Sequence, residues 1–177
     1  VVPDIWVEEP AVAHPTNLDL RAEAGDGTPV GWFNGVGFVG TVSPNFVIRR
    51  AAGLQDTWLD APAFELFHPD PFPGEFGVLM QCCRADHLAG KRIELRARIA
   101  AIGVEEWAGL WFRVDGISTP NLLFETMHGS PIRGDQEERT YTHILRVPPE
   151  AFWLNFGVVL DGRGSLVLSG VGLRVVG

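Results

Sequence analysis

Beyond residue 75 apolar and polar residues alternate through run after run, and alternation of period two puts them on opposite faces of strands. The strictest run is Glu106-Trp107-Ala108-Gly109-Leu110-Trp111-Phe112-Arg113-Val114-Asp115-Gly116. Ala108, Leu110, Phe112 and Val114 fall on one face and read as core. Trp107, Trp111, Arg113 and Asp115 fall on the other, which is not an ordinary solvated row. Strands are predicted over 76–83, 91–102, 107–114, 121–127, 140–147, 153–160 and 165–176. Between them stand turn signals such as Ala89-Gly90, Asp115-Gly116, Pro148-Pro149 and Asp161-Gly162-Arg163-Gly164. Single helical turns are expected at 84–88 and 149–152. The spacing is that of an antiparallel all-β sandwich or barrel.

The first 75 residues carry weaker signals. Short strands are predicted at 17–20 and 46–50, set among loops rich in Gly and Pro. The stretch 64–72, which holds Phe64, Phe67 and Phe72 among several prolines, reads as a long loop: either a lid over the sandwich or a plug at one end of its core. One domain over 1–177 is expected, loop-rich over 1–75 and strand-rich over 76–177.

Composition narrows the function classes. With 46% hydrophobic and 20% charged residues in 177, the chain is globular rather than disordered. A net charge of −8 and a single lysine, Lys91, argue against nucleic acid and anionic membrane as partners. No apolar run reaches membrane-spanning length, and no signal segment opens the chain, although a leader removed before Val1 stays open. Cys82 and Cys83 are adjacent, so in a strand they face opposite ways, and free thiols in a cytoplasmic setting are expected.

The row Trp107, Trp111, Arg113, Asp115 is the leading candidate for chemistry. Indoles stack on sugar rings or flat conjugated systems, and an Arg with an Asp orients polar groups. Gln81, Glu125, Trp153 and Asn155 are candidate companions on neighbouring strands, together forming a site for a small organic ligand. The plainer alternative has one Trp capping the core edge and Arg113–Asp115 as a surface pair. Asp115 with Glu125 is the candidate carboxylate pair for acid–base catalysis. No metal site is expected, because His14, His68, His87, His128 and His143 do not stand at ligand spacing on one element. No nucleophile elbow or phosphate cradle is present, and no cofactor is implied. Arg92, Glu94, Arg96 and Arg98 alternate with Ile93, Leu95, Ala97 and Ile99 and read as a solvated strand face, with an anionic ligand as the minor alternative.

The segments Phe76-Gly77-Val78-Leu79-Met80-Gln81, Gly90-Lys91-Arg92-Ile93, 107–116, Pro131-Ile132-Arg133-Gly134 and Phe156-Gly157-Val158 resemble a bacterial β-sandwich domain. It is the galactose-binding, carbohydrate-binding-module type, found alone or joined to helix-turn-helix regulators of the AraC class. Asn17-Leu18-Asp19-Leu20 followed by Gly31-Trp32-Phe33 is similar to the opening of such modules. The resemblance implies a jelly-roll of two antiparallel sheets that usually binds without chemistry. Such domains tend to carry an Asp pair in the last strand and an Asp-Asn pair earlier; here Ser169-Gly170 and Glu125-Thr126 stand instead. The structural calcium that the resemblance would imply loses its C-terminal acids, and the ligand does not carry over.

Three functions follow. The first is binding of a carbohydrate or other small molecule on an aromatic-lined concave face. The second is a cofactor-independent cyclase or isomerase of bacterial natural-product metabolism with an enclosed aromatic pocket. The third is an oligomerisation or partner-binding domain, a homodimer through the exposed tryptophans being one form.

Overall fold

A computed structural model describes residues 14–35, 42–51 and 62–177. Its strands are β1 (Phe33–Asn34), β2 (Val47–Arg50), β3 (Phe64–His68), β4 (Phe76–Arg84), β5 (Arg92–Asp115), β6 (Leu123–Thr126), β7 (Ile132–Arg146), β8 (Trp153–Asp161) and β9 (Gly164–Val176). All pairings are antiparallel. The pivot is β5, 24 residues long. Its first half pairs with β7 and β9, and its second half with β8 and β6. One sheet therefore runs β1-β4-β8-β5-β6 and the other β7-β5-β9-β3-β2, with β5 passing from one to the other. The passage is a series of register slips against β7 between Ile99 and Ala108. Gly103 sits inside it at φ 58, a left-handed conformation that a side chain would strain, and its N–H is held by Asp135 Oδ1 at 2.7 Å.

The two sheets enclose one core. Leu79, Leu110, Phe112, Phe156 and Val158 meet Leu66, Ile93, Leu95, Ile99 and Leu168 there, all fully buried. Each such side chain stabilises the fold by roughly 1.5–3 kcal/mol. The inward phase predicted for Ala108, Leu110, Phe112 and Val114 is the phase observed, as is that of Ile93, Leu95, Ala97 and Ile99.

The structure departs from expectation at four places. The strands expected at 91–102 and 107–114 are one continuous strand, because the slips bend the chain without ending it. The stretch 64–72 is not a lid or plug loop: its first part is β3, paired to both β2 and β9, with Phe64 and Leu66 in the core. The prolines begin only after that strand, and Phe72 stands 75% exposed. Residues 17–20 form a turn, with Asn17 and Leu20 at φ 47 and 58. The Asn17 amide stabilises it, donating to the Ala22 and Val30 carbonyls and accepting from the Ala22 N–H. Finally, β7 starts at Ile132, well before 140; its polar stretch pairs only with β5, and a solvated edge strand shows no apolar alternation. Of the helical turns, Asp86–Leu88 is present, while 149–152 is a turn closed by Ala151 N–H to the Pro148 carbonyl at 3.1 Å.

Candidate functional site

The outer face of the β4-β8-β5-β6 sheet carries a second apolar cluster, in which Val78, Met80, Cys82 and Val159 pack around Trp111. Into this face opens a cleft of about 280 Å³. Trp111 forms its floor, only 2% exposed. Trp107, four residues earlier on the same strand face, is half-buried and forms a wall. Its Nε1 donates to Asp161 Oδ2 at 3.0 Å across the β5–β8 pair, which fixes the plane of the ring. The Trp111 Nε1 is buried without a hydrogen-bond partner among the described residues.

The far wall comes from β6. Register places Thr126 opposite Trp111 and Phe124 opposite Arg113, so Phe124 and Thr126 face the cleft. Phe124 is 48% exposed, its ring 6.4 Å from that of Trp111. Thr126 caps the short helical turn Met127–Gly129, its Oγ1 accepting from His128 N–H at 3.2 Å. That turn lies over Gly109, where a Cβ would come within 2.7 Å of Met127 Cβ. Only glycine there lets the turn approach, and the approach sets His128 edge-on to Trp107, ring centroids 5.1 Å apart. The result is an aromatic and aliphatic wall with a few polar groups: Thr126, His128 and Asp161.

The other expected site residues divide. Trp153 and Asn155 share the outer face with Trp107 and Trp111, but neither lines the cleft. Trp153 packs edge-on against Phe152, and the Arg84 guanidinium stands 3.9 Å above the Phe152 ring. Arg113, Asp115 and Asn155 form a buried polar knot beside the cleft. Asp115 accepts from Arg113 Nε (2.9 and 3.1 Å), from Asn155 Nδ2 (2.8 Å) and from the Asn121 N–H (2.6 Å). Asp115 is thereby committed to holding the turn at 116–121.

Two expectations are corrected. Gln81 lies on the inward face of β4 with Leu79 and Cys83, fully buried, where it exchanges two 2.9 Å hydrogen bonds with the Thr16 backbone. Glu125 points opposite to Phe124 and Thr126 and ion-pairs with His143 of β7, whose ring lies 5.3 Å from Phe112. Asp115 and Glu125 thus occupy opposite faces of the sheet and make no acid–base pair. The cleft residues that alternation did not single out are Phe76, Val78, Phe124, Thr126, His128, Val159 and Asp161. The spacing of Phe124 and Thr126 around Glu125 carried the signal, but the choice of phase there favoured the charged residue.

Burial pushes the Cys83 thiol up to about 12, and neither Cys82 nor Cys83 is in a disulfide. Among the described residues no three His, Cys, Asp or Glu side chains come together as a metal would need, and no helix is long and apolar enough to cross a membrane.

The fold is an all-β sandwich, and solved carbohydrate-binding modules share it. The C-terminal family 22 carbohydrate-binding module of Clostridium thermocellum Xyn10B superposes with a TM-score of 0.59 at 10% identity, over 92% of this chain and 96% of that one. The CBM22-1 xylan-binding domain of Paenibacillus barcinonensis Xyn10C gives 0.52 at 13% identity, over 88% and 97%. No family profile matches the chain. In sequence it is 39% identical over 93 residues to YbfP of Bacillus subtilis (strain 168), an uncharacterized HTH-type transcriptional regulator. That match covers 52% of this chain and 32% of the regulator, so the chain spans about a third of its relative's length.

Proposed function

We propose that the chain is a non-catalytic binding module that takes a short carbohydrate segment in the Trp107–Trp111 cleft. The observation that carries this reading is the half-buried Trp107 indole, locked by Asp161 and raised beside the buried ring of Trp111. A ring held in one plane presents an apolar platform for the C–H face of a pyranose at little entropic cost. Thr126, His128 and Asp161 stand around that platform to meet hydroxyls. At about 280 Å³ the cleft lies near the lower end of small-molecule sites, roughly 300–1,000 Å³, and suits one or two sugar rings. The xylan-binding domain of like fold supports a glycan ligand, and the partial sequence match to a regulator supports recognition without turnover. A cyclase or isomerase has less support, because the cleft is open to solvent and Asp115 and Glu125 are apart.

The test is calorimetric titration with xylo- and gluco-oligosaccharides. Binding is expected to weaken by more than roughly tenfold in Trp107→Ala, which removes the platform and leaves the core intact. An affinity unchanged in that variant would sink the proposal.

A further inference from the structure

A second cleft, of about 610 Å³, lies on the other half of β5, where Arg96 and Arg98 project away from Leu95, Ala97 and Ile99. Pairing with β9 puts Gly172 beside Arg96 and Gly170 beside Arg98. A Cβ on Gly172 would lie 2.8 Å from Arg96 Nε, so the arginine stem lies flat across bare backbone. Nothing stands within 4 Å of the corresponding point on Gly170. An oriented guanidinium therefore borders open space. Thr140 enters from β7, opposite Arg98, and Ser169 comes from the bulge in β9. The turn bearing Arg21 closes the remaining side.

The charges in this cleft do not cancel. Arg98 donates to Glu138, and Arg21 pairs with Asp19 at 3.2 Å. Glu94, which lies within the field of Arg96, is gripped by Arg174 through two contacts of 2.8 and 3.1 Å. Arg96 itself has neither hydrogen bond nor ion pair among the described residues. A positive cleft with an uncommitted fork stands on a chain of net charge −8, whose general field repels anions.

We propose that this cleft binds the carboxylate of a hydroxylated acid, a uronic acid or an open-chain sugar acid. Arg96 meets the carboxylate with its planar donor pair, a geometry in which arginine exceeds lysine. Thr140 supplies a hydroxyl beside it, and Ser169 Oγ, which donates to Glu138 at 2.6 Å, keeps lone pairs to accept from a ligand hydroxyl, contacts a bare anion would not use. The site is independent of the Trp107 cleft, being on the other sheet.

The experiment is calorimetry at low salt with D-glucuronate, D-gluconate, D-glucose and acetate, on the unaltered chain, Arg96→Gln and Trp107→Ala. At least one sugar acid should bind, with glucose and acetate weaker by on the order of tenfold. Arg96→Gln should lose a similar factor, while Trp107→Ala should leave acid binding unchanged. Preference for glucuronate identifies a ring sugar, and preference for gluconate an open-chain acid. Arg96 is exposed, so its variant keeps the fold, which the unfolding midpoint checks. Binding of neither acid at millimolar concentration, equal binding of glucose or acetate, an indifferent Arg96→Gln, or loss of acid binding in Trp107→Ala would each overturn the assignment. The last two leave the oligosaccharide titration of the Trp107 cleft readable on its own.

Discussion

Replacing Asp115 by Ala separates a structural carboxylate from a ligand-binding or catalytic one. Asp115 is 2% exposed and receives three donors: Arg113 Nε, Asn155 Nδ2 and the Asn121 N–H. Hydrogen bonds to a charged acceptor contribute about 1.5–3 kcal/mol each. They do not add, because the Asn121 N–H lies at a turn that water can reach once the carboxylate is gone. Arg113, with its side chain 14% exposed, loses this ion pair, and buried Asn155 loses its 2.8 Å acceptor. Removing one partner of a buried ion pair costs about 3–5 kcal/mol, and we expect Asp115→Ala near the middle of that range. Asp115→Asn, which keeps an acceptor but turns an amide N–H toward other donors, should lose about half as much. Domains of this kind have about 5–15 kcal/mol in total, so the Ala variant should lower the urea midpoint by roughly 2 M. A loss below about 1 kcal/mol would refute the structural assignment, as would full stability coupled with lost oligosaccharide binding.

Other predictions follow from the same geometry. Trp111→Ala should destabilise by about 3–5 kcal/mol, since the ring is fully buried, whereas Trp107→Ala should cost clearly less; comparison of urea midpoints checks the order. Glu75 has its carboxyl held below the ordinary range by the Phe72 N–H and the Ser43 hydroxyl. A lowered folded pKa gives stability that is present above the unfolded value and is lost as pH falls through the folded one. Glu75→Gln should therefore lower stability most at neutral pH and flatten the acid limb of a stability–pH curve below about pH 4.5, the variant and the unaltered chain converging in acid. Cys83, with its thiol at about 12, should resist thiol reagents at pH 8 to 9 until the protein is unfolded; rapid labelling of native protein at Cys83 would contradict its burial.

Strand phase was legible wherever one face was apolar and the other was not, as in β5 and β8. It was illegible where both faces are covered. In β4, Val78, Met80 and Cys82 pack on the outer cluster while Leu79 and Cys83 pack in the main core, so alternation alone could not tell which way buried Gln81 pointed. The Trp107–Trp111 row was readable because two indoles on the non-core side of a strand have no simple packing explanation. Its walls were not, because alternation does not tell which strands flank β5, and Phe124 and Asp161 reach the cleft through the β5–β6 and β5–β8 pairings. The bend in β5 was invisible for a related reason: one bulged strand and two short strands share a hydrophobic pattern, and only their neighbours distinguish them.

The most direct measurement is the set of indole N–H resonances, one for each of the six tryptophans, recorded during an oligosaccharide titration. The Trp107 Nε1–H is bonded to Asp161, and the Trp111 Nε1–H is buried beneath the cleft, so a sugar seated there must alter the surroundings of both. The Trp107 and Trp111 signals should shift together and saturate at the calorimetric affinity, while Trp32, buried in the main core, stays fixed. Saturable binding that moves Trp153 or Trp32 and leaves Trp107 and Trp111 still would contradict the assignment of this face as the carbohydrate site.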